Sequence, residues 1–395
     1  MNGYKEIILL KYGEMALKGL NKKSFEDILL KNVKHSLGTR CKFETSRAQS
    51  VLYLNIQSSE ISTEEIIERL KKVFGISTIT RAFLVEKDFE KIKEATLDIY
   101  SEQFNTAKSF KIEAKRSDKK FSMNSPQICT ELGGAVFEAF EDLDVDLFDP
   151  DITVTVEIRE KFAYISSEKI AGAGGIPVGS SKKAALLISG GLDSPVAGYL
   201  AAKRGLHLIT VHFLSPPYTS EKAKEKVTTL IEKLTPYLGT VKAYFVNFTA
   251  LQEKIRDEIE ESYGTIILRR MMLRATEKIC EREGIDAMIT GENLGQVASQ
   301  TLSAINATDR SVKTLILRPL ITFDKTEIVE LAYKIGTYET SILPYDDCCT
   351  IFTPKHPKTN PKPEAVEESE SVIDFSPYID EAVAFAETKY IKNKN

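Results

Sequence analysis

The sequence predicts an open, doubly wound parallel α/β sheet over residues 184–395, preceded by two smaller α+β domains at 1–59 and 60–166 and a linker at 167–183. Three observations carry this. From Ala184 onward, short β-prone apolar runs alternate with longer segments of helical spacing, the rhythm of parallel strands joined by crossover helices. Before that point, helices and alternating strands mix without such a rhythm. Between the two, Ala171-Gly172-Ala173-Gly174-Gly175-Ile176-Pro177-Val178-Gly179-Ser180-Ser181 breaks every periodicity and marks a boundary. Its glycines sit in no strand-to-helix turn, so a dinucleotide fingerprint is not indicated.

In chain order, 6–10 is a short apolar run, 24–36 has helical spacing and 51–56 alternates as a strand. A helix is expected over 61–74, opened by the capping pattern Ser62-Thr63-Glu64-Glu65. Further helices are expected at 89–104 and 127–140, a strand at 109–114, and a strand pair at 152–158 and 162–166. In the last domain, strands are expected at 184–188, 206–213, 242–247 and 287–290. Helices fall at 195–204, 221–238, 265–283 and 326–334. The segment 353–371, rich in Pro, Lys and Glu, reads as mobile, and 378–392 as a closing helix.

Composition narrows the class. A chain of 395 residues with 42% hydrophobic content buries ample core. No apolar run approaches the roughly 20 residues needed to span a bilayer. The first ten residues have no secretory-leader layout. Five cysteines, odd in number and scattered, argue against a disulfide framework. A cytoplasmic enzyme is expected, with no membrane partner. The net charge of −4 is unevenly distributed: residues 1–120 carry 23 Lys and Arg against 17 Asp and Glu. Glu141, Asp142, Asp144, Asp146, Asp149 and Asp151 then form an acidic stretch. Lys108, Lys111, Lys115, Arg116, Lys119 and Lys120, flanked by Phe110 and Phe121, are candidate nucleic-acid contacts, since such side chains neutralise phosphates.

The sharpest feature is Leu186-Leu187-Ile188-Ser189-Gly190-Gly191-Leu192-Asp193-Ser194-Pro195. An apolar strand ends in Ser-Gly-Gly, and a helix is expected to open with Ser194 as N-cap and Pro195 in its first turn. The glycines let backbone N–H groups approach a phosphate, and the helix N-terminus adds positive potential. Asp193 beside such a nest would repel phosphate unless a divalent cation bridged them, so Mg²⁺ is expected there. The loop lacks the Gly-Lys-[Ser/Thr] of γ-phosphate-transferring loops.

This string resembles the pyrophosphatase loop of the enzymes with an adenine-nucleotide α-hydrolase-like fold, which adenylate a substrate oxygen with ATP. Within that group the chain resembles the tRNA 4-thiouridine synthetase (tRNA sulfurtransferase) family along its whole length. EMALKGLNKKSFE at 14–26 resembles the family's ferredoxin-like domain, 60–166 its THUMP RNA-binding domain, and GGIPVG at 174–179 the entry to its catalytic domain. GENLGQVASQT at 291–301 and Arg318-Pro319-Leu320 through Asp324-Lys325 resemble later catalytic motifs. The resemblance implies an ATP site formed by Leu187, Ile188, Ser189, Gly190, Gly191, Asp193, Ser194, His212, Phe213, Arg269, Gly291 and Gln300. It implies catalytic roles for Asp193, for Lys325 at the developing phosphate charge, and for a sulfur-carrying cysteine at Cys348 or Cys349. The vicinal pair is poorly spaced for a metal. Counting from Gly336 favours Cys348, other pairings favour Cys349, and both remain candidates.

The implied reaction is adenylation of O4 of uridine 8 in tRNA, followed by its replacement with persulfide sulfur, releasing AMP and pyrophosphate. Longer members carry a rhodanese-like domain; this chain reads as a short form, so a separate cysteine desulfurase is expected as donor. A homodimer, and sulfur transfer to a carrier protein in thiamine thiazole synthesis, are further expectations. The alternatives are a 2-thiouridine or lysidine type of adenylating enzyme, which lacks the two front domains, and a non-catalytic RNA-binding module.

Overall fold

The computed structural model describes residues 3–393 except 18, 49, 346, 347, 349, 350, 353, 355 and 356. The chain forms two compact units, Met1–Gly19 with Leu37–Gly174, and Leu20–Ser36 with Gly175–Asn395.

The first unit is built on a single sheet. Its strands are β1 (Lys5–Tyr12), β2 (Cys41–Ala48), β3 (Val51–Ser59), β4 (Ile76–Val85), β5 (Ser109–Arg116), β6 (Asp144–Val145), β7 (Ile152–Ile158), β8 (Ala163–Ser166) and β9 (Ile170–Ala171). They run in the order β2-β3-β1-β4-β8-β7-β5-β6, with β9 also on β4. Helix α1 (Lys22–Leu37) groups almost wholly with the second unit; α2 (Thr63–Leu70), α3 (Phe89–Ile99), α4 (Ser101–Thr106) and α5 (Ser125–Ala139) belong to the first. The helices α3, α4 and α5 bury Ile92, Phe104, Ile128 and Leu132 against Phe110, Ile112, Val154 and Val156 of β5 and β7. Ser62 caps α2 as expected, its hydroxyl accepting from the Glu65 N–H at 3.2 Å. The single helix expected over 89–104 instead breaks at Tyr100, whose ring is buried in this core.

In the second unit the sheet is β14-β13-β10-β11-β12-β15. Its strands are β10 (Lys183–Leu187), β11 (His207–Leu214), β12 (Val241–Asn247), β13 (Ala287–Ile289), β14 (Leu315–Leu317) and β15 (Glu387–Ile391). All pairs are parallel except β12 with β15. Helices are α6 (Asp193–Lys203), α7 (Glu221–Leu238), α8 (Thr249–Glu258), α9 (Gly264–Glu283), α10 (Leu302–Asp309), α11 (Lys325–Lys334), α12 (Tyr338–Ser341), α13 (Pro363–Glu370) and α14 (Ser376–Ala384). Side chains alternate across β10. Ala185 packs into the cluster of α8, α9 and α14, whereas Leu186 faces Gly198 of α6. Helices therefore cover both faces, as a doubly wound sheet requires. The order reverses between β10 and β13, which puts a crevice at their carboxyl ends.

Two expectations for the C-terminal part are corrected. Within the stretch read as mobile, α13 is pinned: the Glu370 carboxylate bonds the buried Arg270 and also pairs with Arg274. The closing helix expected at 378–392 ends at Ala384, and 387–391 becomes the antiparallel edge strand β15. There Glu387 reaches Lys224 at 2.6 Å and Ile391 is buried. Ile391→Ala should remove about 2 kcal/mol of packing. Scanning calorimetry should then show the melting temperature about 4–8 °C lower; an unchanged value would mean that β15 contributes no stability.

Candidate active site

The loop between β10 and α6 is closed from within. The Ser189 N–H donates to Ser194 Oγ at 2.9 Å, and the Gly191 N–H to Ser189 Oγ at 3.3 Å. Ser194 is therefore not the N-cap expected. The helix starts two residues earlier than expected, at Asp193, and the Ser194 hydroxyl turns back to hold the loop. The first turn of α6 leaves N–H groups without intrahelical partners at the same place. A second strand end presses against this turn. A Cβ on Gly291 would lie 2.7 Å from the Ser194 nitrogen and 2.9 Å from the Asp193 carbonyl carbon, so no larger residue fits.

These elements edge a cleft of about 460 Å³. Of the residues expected at the nucleotide, Leu187, Ile188, Ser189, Asp193, Ser194, His212, Phe213, Arg269, Gly291 and Gln300 line it. His212, buried at the end of β11, donates its Nδ1–H to the Ile188 carbonyl at 3.0 Å, tying the two strand ends together. Gly190 and Gly191 lie in the loop without lining the cavity, and Lys325, at the start of α11, does not line it either. Lys325 nevertheless reaches the site through Asp193: its Nζ is 3.1 Å from Asp193 Oδ1, while Gln296 Nε2 is 3.3 Å from Oδ2. Asp324 caps α11 in a reciprocal box with Glu327, which fixes where that lysine begins.

One residue that sequence reasoning missed organises the cleft. Glu292 is almost fully buried, yet its carboxylate pairs with Arg269 and with Arg318 Nε at 2.7 Å, and accepts from Thr290 Oγ1 at 2.8 Å. Arg269 also donates to Ser299 Oγ at 2.9 Å, and Arg318 pairs with Asp309. Burial pushes the Glu292 pKa up, but the two guanidinium groups outweigh it and hold the carboxyl below its usual range. The only sequence signal was its place inside the quoted 291–301 motif. Its partners lie 23 and 26 residues away, beyond any local pattern.

Cys348 also lines this cleft, and its carbonyl accepts from Gln252 Nε2 at 2.8 Å. Cys349, Asp346 and Asp347 lie outside the described residues. The other cysteines suit thiolate chemistry poorly. Burial raises the thiols of Cys41 and Cys129, and pushes Cys280 up to about 12, helped by Glu277 and Glu281. Among the described residues no group of three or more His, Cys, Asp or Glu is placed to hold a metal. A single carboxylate at a phosphate loop suits Mg²⁺ carried in by phosphates rather than a resident ion.

In the first unit the six basic candidates do not form one patch. Lys111 and Lys115 project from one face of β5, opposite the core-facing Phe110 and Ile112. Lys119 and Lys120 are exposed just beyond its end, whereas Lys108 precedes its start, roughly 20 Å away at strand rise. Arg116 is used internally, its guanidinium donating to the carbonyls of Phe121 and Met123.

Three family models match the chain: a ThiI ferredoxin-like domain over residues 7–80, a THUMP domain over 86–168, and the thiamine biosynthesis protein ThiI over 179–375. A "Probable tRNA sulfurtransferase" of Bacillus licheniformis is 46% identical, covering 99% of this chain and 97% of its own. One of the same name from Alkaliphilus oremlandii is 43% identical over 98% and 99%. Among solved structures, a 4-thiouridine synthetase–RNA complex with bound ATP superposes with a TM-score of 0.91 at 37% identity, covering 98% of this chain and 100% of that one.

Glu292→Gln should separate the charge from the shape. Because the folded carboxyl is depressed, its stabilisation is present above the ordinary carboxylate range and is lost as pH falls through the folded value. The variant should melt below the parent at pH 7, and the gap should narrow as the pH is lowered through and below the ordinary carboxylate range. A gap that widened on acidification would contradict the assigned pairing.

Proposed function

The chain belongs to the tRNA sulfurtransferase family, and we propose that it converts a uridine of tRNA, uridine 8, to 4-thiouridine at the expense of ATP. The observation that supports this most is the meeting of a phosphate-binding loop and a cysteine, Cys348, in one cleft. ATP lies with its phosphates at Ser189–Ser194 and its base toward Ile188, His212 and Phe213. Arg269, Gly291 and Gln300 close the other side. Asp193 would hold a phosphate-bound Mg²⁺, which would offset phosphate charge, and Lys325, 3.1 Å from Asp193, stands where it can face the charge developing at the α-phosphorus.

Two displacements follow. The uridine O4 attacks the α-phosphorus and pyrophosphate leaves. The terminal sulfur of a persulfide on Cys348 then attacks C4 and AMP leaves with the former O4. A second thiol, for which Cys349 is adjacent in sequence, takes up the remaining S–S bond, and an external reductant reopens the resulting disulfide. A cysteine desulfurase supplies the persulfide. On this reading residues 1–59 and 60–166 hold the tRNA, and 184–395 carries out the chemistry in a cytoplasmic homodimer. Transfer of sulfur to a carrier protein for thiamine thiazole synthesis is a second use of the same persulfide. No helix among the described residues is long and apolar enough to cross a membrane.

Cys348→Ser should still release pyrophosphate in the presence of tRNA and ATP but form no 4-thiouridine, since a serine hydroxyl cannot carry a persulfide. Asp193→Ala should lose both activities while keeping its tRNA affinity. Mass spectrometry of the RNA beside a pyrophosphate assay reads the two; full thiolation by Cys348→Ser would remove that residue from the mechanism.

Neutralising Lys115, Lys119 and Lys120 together should weaken tRNA binding and lower its log–log salt slope by roughly 0.7–0.9 per lost phosphate contact. An unaltered slope would assign these lysines to a solvated face.

A further inference from the structure

Beside the nucleotide cleft lies a second cavity, of about 210 Å³, bounded by α8, the start of α9 and Phe352. It is less than half the size of the cleft and its walls include Gln252, Ile255, Arg256, Leu268 and Phe352. Three observations tie it to the reacting groups. Thr265, in the first turn of α9, lines both cavities. Gln252, itself only 2% exposed, faces the small cavity and holds the Cys348 carbonyl, with its own Oε1 fixed by the Ser215 hydroxyl. Phe352, four residues beyond Cys348, meets Tyr218 edge-on at 5.1 Å, and the Arg256 guanidinium lies 5.3 Å from its ring centre.

An aromatic ring under a guanidinium, in a mostly apolar recess, is the surface on which proteins stack an unpaired base. The recess holds one pyrimidine ring but no nucleoside triphosphate. Chemistry on a base also demands that it leave its stack. We propose that this cavity receives the extruded target uracil, packed against Phe352 and Arg256. Its exocyclic oxygen points past Thr265 toward the phosphates, and its C4 turns toward Cys348 in the adjoining cleft. The N–H groups at the start of α9 then lie beside the oxygen that is activated. This assignment rests on the adenylation and thiolation reading above and adds to it the seat of the substrate base.

The test uses the full chain with ATP, tRNA and a persulfide donor. Phe352→Ala should lower kcat/KM for thiolation by about 10- to 100-fold, the loss expected for one base stack. Arg256→Ala, at an exposed position that folding tolerates, should lower it less, and Phe352→Tyr should restore most of it. Affinities for tRNA and for ATP should stay within about twofold, and tRNA-dependent pyrophosphate release should fall in parallel with thiolation. Parent-like kcat/KM in both alanine variants overturns the proposal while the parent's own activity leaves the wider reading intact. Loss of thiolation with undiminished pyrophosphate release also overturns it, because the cavity would then serve the sulfur donor. A parent enzyme that forms no AMP with tRNA sinks the underlying reading instead.

Discussion

The nucleotide cleft depends on a carboxylate taken out of water. Glu292 stands just beyond β13 and joins Arg269 of α9, Arg318 beyond β14 and Thr290 at the end of its own strand. Asp309 of α10 extends the network through Arg318. Removing one partner of a buried pair leaves an uncompensated charge, which costs far more than the pair itself contributes. The network therefore orients Arg269 by making its alternatives expensive. A guanidinium fixed on two sides loses little further freedom when a phosphate arrives.

Around that anchor the sheet topology does the assembling. The reversal of order between β10 and β13 opens the crevice, and the Gly291 backbone closes to within van der Waals contact of the α6 turn. The loop from β10, the end of β11 and the segment after β13 thus face one space, and Cys348 reaches it from far along the chain. On the proposed reading, a phosphate loop and a sulfur-carrying Cys348 on one cleft spare the intermediate a journey through water, where an adenylated base would hydrolyse. The 3.1 Å pair of Asp193 with Lys325 keeps both charges satisfied at the edge of the cleft.

The strand, loop and helix around Asp193 were legible because they are local: apolar run, Ser-Gly-Gly and helix start lie within ten residues. The role of Ser194 was misread for a physical reason. Its hydroxyl can cap a helix or turn back to Ser189, and only the fold decides which. The strands β2 and β4 escaped notice. The side chains of β2 are largely exposed, so no alternation marks it, and β4 mixes Thr, Arg and apolar residues on a central strand. The edge strand β15 was taken for the end of a helix, whereas its stability comes from pairing with β12, a partner far away in sequence. Glu292 was invisible as a functional residue, since a lone acid in sequence says nothing of the two arginines that neutralise it.

On the proposed reading the uridine oxygen is transferred to the α-phosphorus before sulfur enters. That order is tested most directly by a single turnover on tRNA carrying ¹⁸O at O4 of the target uridine, with mass analysis of the released AMP. One ¹⁸O is expected in the AMP phosphate for each 4-thiouridine formed. Label found in water, with unlabelled AMP, would show that sulfur displaces the oxygen by another route and would contradict that order.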